Sequence, residues 1–244
     1  SLEMARNELI AKSISRLTLM YCLDKEIPAS NAKTNRGITS GKRWEKYTDQ
    51  EYDAINNALA VYEKYARNIY ISEGVGDIGA AEIRATIEKH KRITGNTPIV
   101  IVDYLQIIAP YSERATDKQN TDKAVLELKR ISRDFKTPII GISSFNRDNY
   151  SASASMAAFK ESGAIEYGCD VLIGLQLAGV SGDKNEFNVD EAKAKDPREI
   201  ELKILKNRNG PSGGTIEYKF KAAYNLFEEQ EIKSIGWGAA GKRL

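Results

Sequence analysis

Residues 97–108 read "TPIVIVDYLQII", and residues 137–146 read "TPIIGISSFN". Each is a proline followed by a continuous apolar run that closes on polar residues. Neither alternates, so neither has the pattern of a strand with one wet face. Short continuous runs of β-branched residues predict parallel strands buried on both faces. The segment between them, "KQNTDKAVLELKRISRDF" (118–135), carries Val125, Leu128, Ile131 and Phe135 at helical spacing. Strand, helix and strand make a β-α-β unit, hence an α/β fold with a mostly parallel sheet flanked by helices. "CDVLIGLQL" (169–177) is a third apolar run and is expected to be a further parallel strand.

On the N-terminal side, apolar residues at helical spacing (Leu9, Ile10, Ile14, Leu17, Met20, Tyr21) predict a helix from Glu3 to about Leu23. A polar stretch over 28–47 reads as a loop or broken helix. "TDQE" (48–51) is a capping box opening a helix to about Arg67. "NIYIS" (68–72) reads as a short strand, and Asp77 as the cap of a helix reaching Thr94. Residues 150–158 and 178–196 read as mobile loops. After them the pattern changes: "REIELKILK", "GTIEYKF" and "YNLFEE" alternate like antiparallel strands. No composition break separates a second unit, so residues 1–230 read as one domain and 231–244 as a tail.

Composition narrows the function. The chain has 244 residues, 41% apolar and 29% charged, with net charge +2. A near-neutral total gives no global basic field, so any nucleic-acid or phosphate site must be local. No run approaches a membrane span and no leader pattern is present. Two distant cysteines, Cys22 and Cys169, fit a reducing cytoplasm and no disulfide framework. The single histidine, His90 in "EKHKR", reads as a solvated helix residue. The chain opens on Ser1 without a methionine, so it reads as a segment of a longer protein or a chain with an added Ser-Leu start.

Asp103 ends the first buried strand. Ligands of open α/β sheets bind beyond the carboxyl ends of the strands. An acid there is sited to hold Mg²⁺ through water, the Walker B arrangement of phosphate-hydrolysing proteins. The same edge is expected to gather Glu3, Asn146-Arg147, and Lys206 with Arg208 from "LKNRNGPSGG" (205–214). Lys206 and Arg208 are two apart on an extended strand, so both project to one face beside a tight turn. Two cations side by side repel each other, and an anion is one good reason to hold them there. Acids for metal and water, with cations for transition-state charge, describe phosphoryl transfer.

"SLEM" opening a helix, "IVIVDYLQII", "PIIGISSFNR", "ESGAIEYGCDVLI" and "LKNRNGPSGG", in that order, resemble the ATPase domain of DnaB-type replicative DNA helicases across nearly the whole chain. The resemblance implies a RecA-like fold and a hexameric ring. It also implies ATP and Mg²⁺ as cofactors, hydrolysis between subunits, and movement along single-stranded DNA. Primase and a helicase loader are the implied partners. Glu3 would orient or deprotonate the attacking water, and Asp103 would be the Walker B acid. Lys206 and Arg208 would reach a neighbour's γ-phosphate, Arg208 as arginine finger. Asn146, Arg147, Lys160, Glu161, Ser162 and Gly163 would lie in DNA-contacting loops. Ser144 stands where the family usually carries a Gln facing the γ-phosphate, and its hydroxyl is shorter than that amide.

The family's phosphate loop, G-x-x-x-x-G-K-[ST], precedes "SLEM" and has no match in these 244 residues. "GITSGKR" (37–43) has a shortened spacing, and "GWGAAGKR" (236–243) has no strand before it and no helix after it. Both place Arg where a Ser or Thr should meet Mg²⁺. The isolated chain is therefore expected to bind ATP poorly. A phosphate loop within about 30 residues upstream of Ser1 is the expectation for an active ATPase. The alternatives are a non-enzymatic DNA-binding or interaction module, or another RecA-like ATPase.

Overall fold

The computed structural model describes residues 1–74, 76–145, 153–156, 163–180 and 187–230. The N-terminal part is helical: α1 (Arg6–Asp24), α2 (Asn35–Thr39), α3 (Gly41–Trp44), α4 (Asp49–Ala66) and α5 (Ala80–Thr94). Then come β1 (Val100–Val102), α6 (Asp117–Phe135) and β2 (Ile139–Gly141), the expected β-α-β unit. α7 (Gly163–Gly168), β3 (Val171–Leu177), α8 (Val189–Ala194), β4 (Arg198–Asn207), β5 (Thr215–Lys221) and β6 (Leu226–Glu229) complete the described chain.

β1 and β2 pair in parallel, Val100 opposite Ile139 and Val102 opposite Gly141. β3, β4, β5 and β6 form an antiparallel sheet in sequence order. "CDVLIGLQL" is therefore not a further parallel strand by its hydrogen bonds. Its partner is β4, from Val171 opposite Asn207 to Leu177 opposite Ile200, with an irregularity after Leu172. The β2 side still meets it through side chains: a Cβ added at Gly174 would lie 3.6 Å from the Phe145 ring.

The apolar runs are buried on one face only. Val102 is 5% exposed while Ile99 and Ile101 are 67% and 62% exposed. Ile140 and Ile142 follow suit at 51% and 45%, as do Val171, Ile173 and Leu175 at about half. The covered face packs on α5, α6 and α7 through Ile83, Ile87, Leu128, Ile131 and Ile165. No described element covers the other face.

Local chemistry sets most helix starts. Thr48 and Glu51 form the expected capping box, the Thr48 amide donating to Glu51 Oε2 at 2.6 Å. Thr116 and Gln119 build the same device at the start of α6. α1 begins at Arg6, three residues after the expected Glu3, with Glu8 accepting from the Ala5 amide at 3.3 Å. α5 is capped at Gly79 by Glu82, not at Asp77. "NIYIS" is not a strand. Its backbone acceptors serve the start of α1: Ile71 takes a hydrogen bond from Arg6 Nη2 at 2.8 Å. His90 lies on α5 as expected, edge-on to Tyr70.

α1 is buried on more than one side, which blurs its period. Ile14 and Leu17 pack with Ala58 of α4. Leu19 and Cys22 pack with Ala32, Ala54 and Leu226, so the last strand returns to the first helix. Met20, expected inside, is 46% exposed. The excursion at 178–196 contains the short helix α8, whose Asn188 side chain caps it.

Candidate functional site

The expected site residues fall into two groups with no hydrogen bond or ion pair between them among the described residues. The first lies at the carboxyl end of β1 and β2. Asp103 follows Val102 directly and is half-buried. Its backbone carbonyl accepts the Leu2 amide at 2.8 Å. Leu2 is buried in the main core, so Glu3 is held in the bend beside Asp103, exposed and just ahead of α1. The Asp103–Tyr104 peptide bond is cis. The side chains of Glu3 and Asp103 take no hydrogen bond or ion pair among the described residues.

Gln106 ties this edge together. Its Nε2 donates to Ser143 Oγ at 2.8 Å and to the Ser144 carbonyl at 3.2 Å. The Ser144 amide donates back to Gln106 Oε1 at 3.4 Å. Ser144 thus sits at the same edge as Asp103, its backbone clamped by the amide of Gln106.

The second group gathers at the start of β3. Lys206 pairs with Leu172, and Arg208 follows β4 next to Asp170. The Arg208 amide donates to the Asp170 carbonyl at 2.9 Å. Its guanidinium Nη1 lies 2.7 Å from Asp170 Oδ1. Lys206 Nζ donates to the Glu166 carbonyl of α7 at 2.7 Å. Lys129 of α6 holds the other Asp170 oxygen, Oδ2. The Lys129 hydrogen bond, with the charges of Lys129, Arg208 and Lys206 behind it, holds the Asp170 carboxyl below its ordinary range against partial burial. Burial pushes the nearby Cys169 thiol up, Lys206 opposing it.

The expectation of one common edge is therefore corrected. Phe145, just past Ser144, meets β3 at Gly174. Asp170 lies four residues earlier, roughly 13 Å along an extended strand. The physical reason is direction: β4 runs antiparallel to β3, so its end returns to the start of β3. Among the described residues no hydrogen bond or ion pair joins Glu3 or Asp103 to Lys206 or Arg208. Within the chain Arg208 faces Asp170, a residue not among the expected site residues, while Lys206 faces the Glu166 carbonyl. The sequence signals for Asp170 were an acid immediately before an apolar strand and its place in "ESGAIEYGCDVLI".

Gly163 opens α7, and the next amide, Ala164, donates to Asp122 Oδ1 at 3.2 Å. Asn146, Arg147, Lys160, Glu161 and Ser162 lie outside the described residues, as does "GWGAAGKR". "GITSGKR" falls across α2 and α3, with no strand ahead of it, so it is not a phosphate loop. No described cluster gathers three or more His, Cys, Asp or Glu side chains. No described helix is long and apolar enough to cross a membrane.

An acidic edge and a cationic end, set apart, suit a site completed by a second molecule. The profile of the DnaB-like helicase C terminal domain family matches residues 1–229. The chain belongs to the DnaB-like helicase C terminal domain family. Its relatives in that family include "Replicative DNA helicase DnaC" of Bacillus subtilis (strain 168), 30% identical over 236 residues, covering 95% of this chain and 45% of that protein. "Replicative DNA helicase DnaB" of Leifsonia xyli subsp. xyli is 25% identical over 232 residues, with 94% and 44% covered. The chain thus spans about half the length of the curated relatives it matches. Among solved structures, an ATPase domain superposes with a TM-score of 0.71 at 21% identity, over 95% of this chain and 73% of that one. A DnaB-like replicative helicase described with its interactions with primase gives 0.69 at 20% identity, over 93% and 48%. Those two likenesses establish the helicase-ATPase fold for this DnaB-like domain.

Proposed function

We propose that the protein carrying this domain is an ATP-dependent replicative DNA helicase, working in the cytoplasm as a hexameric ring that moves along single-stranded DNA. Glu3 orients or deprotonates the attacking water, and Asp103 is the Walker B acid. Ser144 lies at the γ-phosphate edge. Lys206 and Arg208 act on nucleotide held by a neighbouring subunit. Asn146, Arg147, Lys160, Glu161, Ser162 and Gly163 belong to the DNA-contacting surface. Primase and a helicase loader are its partners.

The observation that carries this reading is the separation of the two groups. Leu2 joins Glu3 to Asp103 in one group, while Arg208 and Lys206 gather around Asp170 and α7 in the other. Lys206 and Arg208 make no hydrogen bond or ion pair with Glu3 or Asp103 among the described residues, which supports a role for them at a site across an interface. The acid edge also fits a magnesium-bound nucleotide. Mg²⁺ keeps most of its waters and takes one or two carboxylates plus phosphate oxygens, so a cage of three acids is not required. Asp103, whose side chain has no hydrogen bond or ion pair among the described residues, would hold it. Mg-ATP when bound supplies the phosphoryl group and neutralises charge on it.

The test uses the full-length protein. Asp103→Asn should lower single-strand-stimulated ATP hydrolysis by about 10²-fold or more and abolish unwinding of a forked duplex. Binding to single-stranded DNA should weaken steeply with salt, because Lys and Arg contacts displace counterions. DNA binding without any ATP-dependent strand displacement in the unmutated protein would favour the non-enzymatic alternative.

A further inference from the structure

We propose that Asp170 is a positioning residue for Arg208, a role that rests on the reading of Arg208 as a residue acting on a neighbour's nucleotide. Three observations converge. Strand register brings Arg208 beside Asp170, one step beyond the Asn207–Val171 pair. The backbone of Arg208 is fixed to the Asp170 carbonyl at 2.9 Å. Its side chain is held to Oδ1 of the same residue at 2.7 Å. One residue therefore sets both the root and the tip of a long side chain.

The pair is open to solvent, with side-chain exposure of 53% for Arg208 and 48% for Asp170. Exposed ion pairs add little to stability. What this one does is geometric: it restricts a side chain that otherwise samples many rotamers. A guanidinium carries five N–H donors in a rigid fork. Contact through Nη1 leaves the rest of the fork able to meet a phosphate oxygen. Oδ2 is engaged by Lys129 of α6, which anchors the carboxylate from the opposite side. Pre-placing a reacting or stabilising group within a fraction of an ångström is worth large factors in rate.

The experiment measures single-strand-stimulated ATP hydrolysis in the full-length protein, with assembly checked by light scattering. Four variants are compared: Arg208→Ala, Asp170→Asn, their double, and Lys129→Met. Arg208→Ala should lose about 10³-fold in kcat. Asp170→Asn should lose about tenfold in kcat with KM for ATP unchanged. The double variant should be no worse than Arg208→Ala, because a positioning residue has nothing left to position. Lys129→Met removes the anchor on Oδ2 but keeps the Asp170–Arg208 contacts, and should lose clearly less in kcat than Asp170→Asn, about threefold. If Asp170→Asn fails to assemble, Asp170→Glu takes its place under the same criteria. Asp170→Asn within twofold of the unmutated protein, losses that multiply in the double, or Lys129→Met as impaired as Asp170→Asn would each overturn the inference while leaving Arg208's role standing. A fully active Arg208→Ala protein would overturn Arg208's role, and this inference with it.

Discussion

The Leu2 amide donates to the Asp103 carbonyl at 2.8 Å, and the Leu2 side chain is 6% exposed. This one hydrogen bond stitches the N-terminal bend to the end of β1 and fixes where Glu3 stands. Glu3→Gln in the full-length protein should therefore retain ATP binding and lose about 10²–10⁴-fold in hydrolysis. Filter binding of nucleotide beside a steady-state hydrolysis assay checks both halves. Leu2→Ala should lower stability by about 2–3 kcal/mol, read by urea denaturation, because it empties a core position.

Lys33 and Glu51 pair in the helical N-terminal part, with side-chain exposures of 9% and 17%. The Lys33 ammonium also lies 4.5 Å from the centre of the Tyr47 ring. The Lys33 hydrogen bond first, then the Thr48 amide, holds the Glu51 carboxyl below its ordinary range. A folded-state value below the unfolded one means stability that is present above the unfolded glutamate value, about pH 4.3. It is lost as pH falls through the lowered folded value. Urea midpoints should drop on acidification below about pH 4, and drop less in Glu51→Gln. At neutral pH Lys33→Ala should cost about 1.5 kcal/mol, because Glu51 loses its cation but keeps its hydrogen bond from the Thr48 amide.

Ile99, Ile101, Ile140 and Ile142 present an apolar strip 45–67% exposed. Contiguous apolar surface of this kind drives association. The isolated 244-residue chain should bind a hydrophobic dye and self-associate at micromolar concentration. Ile101→Lys with Ile140→Lys should suppress both while changing its stability by only about 0.5 kcal/mol per substitution. Equal dye binding by the variant would contradict the assignment of that face.

The β-α-β unit was legible because α6 carries a clean apolar stripe between two proline-led apolar runs, all local signals. Asp103 was legible as an acid closing an apolar run. The antiparallel pairing of β3 was not, because a run of "VLIGLQL" is equally apolar in either kind of sheet, and only the alternation of β4 hinted at its partner. The one-sided burial of β1 and β2 was hidden for a related reason: valine and isoleucine occupy these runs on the covered and the uncovered face alike. The start of α1 moved because Glu3 is tied to Asp103 through Leu2, a contact about a hundred residues apart in sequence. Lys206 and Arg208 were expected to face one anion together; within the chain Arg208 pairs with Asp170 while Lys206 reaches the Glu166 carbonyl. Asp170 needed the strand register to be seen.

The central claim is that Asp103 and Arg208 serve one reaction from two neighbouring subunits. Mixing full-length Asp103→Asn with full-length Arg208→Ala, each inactive alone, tests it most directly. Random assembly leaves about a quarter of head-to-tail interfaces with both an intact acid and an intact arginine. The account predicts single-strand-stimulated ATP hydrolysis well above the sum of the two parents, rising and then falling as the mixing ratio passes through equality. A mixture no more active than its parents, in rings shown to exchange subunits, would contradict it.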